Sequence, residues 1–202
     1  KNFSVTTIAS ARQASAIIFG ASLPIGFELG IPGAHSDVGG GYNCDVGKPE
    51  TENRYIPPNS TIIEGDGQSV TLPSAQPFVY AQGWYQPSQL HQDARGRWRH
   101  IRQISGDYYK VPLSLMIDMA EKYTTAKYAA NVDMVSKTPE IAQVQSKLRA
   151  FAKANVFGLG KPTRMDWALN EQLGDEAAQS FRNKYLHLSF NFEKTGMAPR
   201  FK

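Results

Sequence analysis

Two prolines, Pro24 and Pro32, bracket the short apolar run IGFELGI at residues 25–31. Proline fixes φ and removes an amide donor, so neither position suits a helix interior. A run this short and apolar, bounded on both sides, reads as a strand. It feeds directly into IPGAHSDVGGGY, Ile31 to Tyr42, where His35, Ser36 and Asp37 stand in consecutive positions just ahead of Gly39-Gly40-Gly41. A loop of titratable groups at the end of a strand suits chemistry, because the backbone stays anchored while the side chain is aimed. The wider apolar stretch 14–34 is interrupted by Pro24, Pro32, Glu28 and four glycines, too many breaks for a membrane-spanning helix.

The rest of the chain divides by pattern. Residues 4–19 fit either a strand or a short helix. Residues 43–60 hold three prolines and many polar groups and are expected to form a long surface loop. Thr61 to Leu72, TIIEGDGQSVTL, has two β-prone runs around Gly65-Asp66-Gly67, which predicts a hairpin. PFVYAQGWY reads as a further strand, and 86–100 as a polar, basic segment. Helices dominate the second half. Asp107 is placed to cap one with Leu113, Met116, Ile117, Ala120 and Tyr123 on its apolar face. Thr138-Pro139-Glu140 is a cap followed by proline at the first helical position, and Ile141, Val144, Leu148 and Phe151 follow at helical spacing. A further helical region at 165–183 is interrupted near Gly174-Asp175, where Asp175 is placed to cap a second segment. YLHLSFNF, from Tyr185, alternates like a strand.

At 202 residues the chain can bury a core without cross-links, and Cys44 is its single cysteine, so no internal disulfide and no cysteine metal cluster is expected. The net charge of +4 fits a weak preference for anionic surfaces without demonstrating one. The chain opens on Lys1 with no leader pattern in view, which reads as part of a longer polypeptide or a processed chain.

PGAHSDVGGGY closely resembles the signature of a family of α/β-hydrolase-like proteins that includes the first class of type VI secretion phospholipase effectors. RQISGDYYKVPLSLMIDMAEK, Arg102 to Lys122, resembles a later segment of that family, and YLHLSFNF followed by GMAP resembles its closing strand. The resemblance implies a C-terminal part of an α/β-hydrolase-type fold with additional helices and a β-hairpin. Residues 1–125 would belong to the hydrolase core with an inserted loop and hairpin, 126–163 would be a helical insertion, and 164–202 would close the core. It further implies that His35 is the catalytic histidine of an ester hydrolase, a phospholipase or lipase, taking the proton of a serine and returning it to the leaving alcohol.

The chain departs from the family pattern in two respects. G-x-S-x-G is absent; Gly20-Ala21-Ser22-Leu23-Pro24 is the nearest match, and Ser22 lies only thirteen residues before His35. The family's aspartate-threonine-valine segment is missing too. The expectation is therefore that serine and acid come from an upstream segment or chain. The implied setting is a secreted antibacterial effector acting on phospholipid in a target-cell envelope, with a secretion spike protein and an immunity protein as partners. No cofactor or metal is implied, and Asp37 and Asp45 do not match a calcium-loop spacing.

Asp37 has two readings: it polarises His35 or stands in for the missing acid, or it accepts N–H groups of the glycine run in an Asx-type turn. Ser36 reads as a loop hydrogen-bonder. The glycines read as a packing turn or as a close approach to an anion or substrate. His187 is the second candidate base, its plainer reading being a half-buried structural residue. His91 and His100 read as solvated. ARGRWRHIR sets four arginines around Trp98. It suits phosphate head groups or internal acid pairing; nucleic acid is not expected, since no base-reading fold accompanies it. Two rivals stand beside the phospholipase: a non-catalytic docking module of a secretion-associated protein, and a serine esterase without lipid preference.

Overall fold

The computed structural model describes residues 29–33, 37–38, 48–56, 60–64, 69–72, 76–123, 125, 127–128, 135–155, 165–188 and 200–201. The chain's contacts divide it into two units, each assembled from two separate stretches: Lys1–Pro32 with Lys110–Gln172, and Gly33–Tyr109 with Leu173–Lys202. Among the described residues the architecture is mixed α and β, with helices beside small sheets.

In the first unit, β1 (Leu29–Gly30) is the described end of the predicted strand. It pairs in parallel with β7 (Met165–Asp166), and the Trp167 N–H donates to the Gly30 carbonyl at 2.8 Å. Helices α2 (Lys110–Tyr123) and α3 (Pro139–Asn155) form its helical part. The start of α3 is where Thr138-Pro139-Glu140 predicts it. The Thr138 carbonyl accepts from the Ala142 N–H at 2.9 Å, and Ser136 Oγ accepts the Thr138 N–H at 3.1 Å. Ile141, Val144, Gln145, Leu148 and Ala152 are buried, a stripe at helical spacing. In α2 the expected face is rotated: Val111, Ser114, Leu115 and Ile117 are buried, whereas Met116 is 62% exposed. Arg149 grips Asp118 through two bonds of 2.6 Å, and Gln145 Nε2 donates to the Lys110 carbonyl, so polar contacts between α2 and α3 supplement the apolar stripe. Asp107 lies in a short 3-10 turn (Gly106–Tyr109) that precedes Lys110.

The second unit carries a three-stranded antiparallel sheet in the order β2 (Glu50–Tyr55), β6 (Trp98–Ile104), β5 (Leu90–Gln92). Glu52 lies opposite Arg102, and Leu90 opposite His100. The expected surface loop at 43–60 is thus partly a strand. Its polar sequence, ETENRY, is tolerated because the inward Glu52 meets a buried cation instead of solvent. The turn between β5 and β6 is built by Asp93, whose Oδ1 accepts the N–H groups of Arg95 and Arg97 at 2.9 Å each. A second sheet holds the predicted hairpin, β3 (Ser60–Glu64) with β4 (Ser69–Leu72), and β8 (Arg200–Phe201) alongside β3 in parallel.

PFVYAQGWY is not a strand. Residues Gln76–Ala81 form α1, which tolerates Pro77 because the amides of a helix's first turn have no intrahelical acceptor. The chain reverses at Gly83, φ +73°, and delivers Trp84 and Tyr85 back toward Val79; Ile56, Val79, Tyr85 and Leu188 then form a buried cluster. The predicted break in the 165–183 region is present: α4 (Leu169–Leu173) stops before Gly174, φ +81°, and α5 (Asp175–Tyr185) begins after it, so Gly174 and not Asp175 holds the cap position. Phe181 of α5 packs edge-on to Tyr108 with centroids 5.8 Å apart. The strand expected from Tyr185 does not start there. Tyr185 ends α5, and Leu186–Leu188 run on as irregular backbone: the extended Leu186 donates back to the Arg182 carbonyl, and the amides of His187 and Leu188 are taken by carboxylates, not by a neighbouring strand. Residues 4–19 and 189–199 lie outside the described residues.

Candidate active site

Asp37 and His187, 150 residues apart in the chain, meet in a buried pair within the second unit. Asp37 Oδ1 is 2.7 Å from His187 Nδ1, and Asp37 Oδ2 accepts the backbone N–H of the same histidine at 3.0 Å. One carboxylate thus fixes both the ring and the main chain that carries it. Both side chains are 3% exposed. The carboxylate on Nδ1 favours the tautomer with its proton on that nitrogen, which leaves the Nε2 lone pair as the basic position. Glu50, the first residue of β2, faces this nitrogen with Oε2 at 3.5 Å, and its side chain is 41% exposed.

Gly33 permits the approach of Asp37. Its φ is +132°, and a Cβ there would lie 3.0 Å from Asp37 Cβ and 3.1 Å from Tyr108 Cε1. Tyr108 is itself buried, and burial first, then the negative charge of Asp37, pushes its hydroxyl pKa well above the ordinary value.

A second buried charge pair frames the histidine. Glu52 Oε2 accepts from Tyr85 Oη at 2.6 Å and from Arg102 Nε at 2.7 Å, with Arg102 Nη2 also at 2.7 Å. Glu52 Oε1 accepts the Leu188 N–H at 2.8 Å. Arg102 Nη2 donates to the Leu186 carbonyl at 2.7 Å, and Nη1 donates to the carbonyls of Trp84, Arg182 and Asn183. The guanidinium also lies over the Tyr85 ring, 4.7 Å from its centroid.

Of the sequence candidates, Asp37 and His187 are brought together. His35, Ser36, Ser22, Cys44, Asp45 and Gly39-Gly40-Gly41 lie outside the described residues. His91 is exposed as expected, but His100 is fully buried, and this overturns its reading as a solvated residue. Its Nε2 is 2.8 Å from Tyr80 Oη, and the Tyr80 and Tyr85 rings pack beside it. Burial lowers its pKa to about 4. The basic segment around Trp98 largely resolves into internal pairing: Arg97 with Asp93, Arg99 with Asn53, and Arg102 with Glu52. Arg95 and Trp98 are exposed.

Glu50, Glu52 and the role of Arg102 went unread in the sequence. The available signal was the parity of two polar strands, since 52 and 54 in β2, and 100, 102 and 104 in β6, point to one side of each strand. Among the described residues no cluster of three or more His, Cys, Asp or Glu side chains could hold a metal ion, and no helix is long and apolar enough to cross a membrane. No family model, curated protein or solved structure matches the chain.

Proposed function

We propose that this chain supplies the base and its orienting carboxylate to a serine-type carboxylic ester hydrolase of the α/β-hydrolase kind. The observation that carries the proposal is the buried Asp37–His187 pair. In this reading His187 Nε2 takes the serine Oγ proton as Oγ attacks the ester carbonyl carbon. The resulting imidazolium is stabilised by Asp37, and the proton passes to the departing alcohol when the tetrahedral intermediate collapses. Water then attacks the acyl-enzyme by the same route. The serine comes from a G-x-S-x-G segment outside these 202 residues. The HSDV loop contributes its aspartate to this dyad, and the pairing favours His187 over His35 as the base. Phospholipid as substrate, action in a target-cell envelope, and spike and immunity partners are supported by the family resemblance alone.

The test uses the polypeptide or complex that contains the serine segment, assayed on phospholipid vesicles and on a short-chain ester. His187→Ala and Asp37→Asn should each lower turnover about a thousandfold or more. Full activity in His187→Ala with none in His35→Ala moves the base to His35, and short-chain turnover without vesicle turnover leaves an esterase without lipid preference. Full activity in all three variants removes both histidines and Asp37 from the chemistry and with them this proposal. A second reading, a non-catalytic docking module in which Asp37 merely pins the chain after α5, is favoured by the deep burial of both side chains. It expects no hydrolysis and a loss of stability in Asp37→Asn.

A further inference from the structure

We infer that the buried Glu52–Arg102 pair is a positioning device for His187, holding the backbone on both sides of it. The carbonyl of Leu186, one residue before, accepts from Arg102 Nη2, and the N–H of Leu188, one residue after, donates to Glu52 Oε1. With Asp37 on the N–H of His187, three consecutive residues are secured by charged side chains. Extended backbone is ordinarily held by a neighbouring strand; here an ion pair does that work on Leu186 and Leu188.

Arg102 also decides where the chain leaves α5. A helix ends with carbonyls that have no intrahelical partner. Arg102 Nη1 takes that of Asn183 and shares that of Arg182 with the Leu186 N–H, while the Ser105 N–H takes that of Lys184. The exit direction of α5 is therefore set from β6, and His187 is the second residue after the helix. Glu52 and Arg102 face one another directly across the β2–β6 register, so the sheet that holds the pair also holds Glu50 beside Nε2.

Such a pair is a poor choice for stability alone, because apolar residues of similar volume commonly serve as well or better. A planar guanidinium with its donors in a fixed fork suits position, because it dictates angles as well as contacts. The catalytic half of the inference rests on His187 being the base; the positional half does not.

The test reads the His187 ring directly. In NMR spectra of the full chain, the Nδ1–H signal of His187 is assigned by its loss in Asp37→Asn, and its exchange with water is measured. Glu52→Gln and Arg102→Lys keep size or charge but break the fork, and each should accelerate that exchange at least about tenfold, the effect of losing one charge-assisted hydrogen bond. Arg149→Lys, in the other unit, should leave it within about twofold. Unchanged exchange in Glu52→Gln overturns the inference even if Arg102→Lys fails to fold. Equal acceleration in Arg149→Lys overturns it as well, since general loosening then explains the effect. In the complete enzyme, Glu52→Gln should lower kcat about a hundredfold with KM nearly unchanged. A fully active His187→Ala removes His187 as the base while leaving the exchange result standing.

Discussion

Acid should loosen the frame of the site through one residue, His100. It sits on β6 two positions before Arg102, fully buried, and its ring packs on Tyr85, which in turn donates to Glu52. Burial holds its folded pKa near 4, against an ordinary 6.5. In the unfolded chain the imidazole takes its proton near 6.5, whereas in the folded chain it resists until about 4. Between those values the unfolded state binds more protons, so stability falls with falling pH across that window and the loss levels off below it. A drop from 6.5 to about 4, at about 1.4 kcal/mol for each tenfold, caps the loss at about 3 kcal/mol. The assay is urea unfolding of the wild type and His100→Gln at intervals from about pH 7.5 to about pH 4. Glutamine can still bond to Tyr80 but does not titrate, and the difference between the two proteins cancels the carboxylates they share. That difference should move by up to about 3 kcal/mol against the wild type as the pH falls. A difference that stays flat across the window refutes the account of His100.

Two further expectations follow from packing. Gly83→Ala forces a left-handed backbone on alanine and sets its Cβ 2.4 Å from Gln179 Cα, so it should cost at least about 2 kcal/mol by urea unfolding. Gly96→Ala has a similar φ of +76° but meets only Gln92 Nε2, at an ordinary 3.6 Å, and should cost only about 1 kcal/mol; equal losses in the two would discount the overlap at Gly83. Leu148→Ala, in a fully buried position of α3, should cost about 2–5 kcal/mol with an unchanged denaturant slope, and a loss below about 1 kcal/mol would mean that α3 is not packed as described.

Where local chemistry decides the structure, the residues were readable. Thr138-Pro139-Glu140 announces α3 because cap and proline act within one turn, and the β3–β4 hairpin follows from the glycines between two β-prone runs. Where tertiary pairing decides, they were not. ETENRY reads as loop because its inward glutamate makes sense only once Arg102 is opposite. PFVYAQGWY alternates enough to pass for a strand, and its reversal at Gly83 depends on a left-handed turn packed against Gln179. YLHLSFNF has strand alternation, but helix α5 reaches Tyr185 and the amides of His187 and Leu188 go to Asp37 and Glu52. Of the site, Asp37 and His187 were each singled out on local grounds. Their partnership was not, because nothing local links residues 150 positions apart.

The interleaving of the two units bears on how a ribosome must deliver this chain. Each unit needs a stretch from both sides of the other, so neither can be completed as a contiguous piece while synthesis is under way. Asp37 leaves the exit tunnel 150 residues ahead of its imidazole, and β2 meets β6 well before Glu52 meets the Leu188 amide. The dyad therefore cannot close until the segment carrying the imidazole has been made.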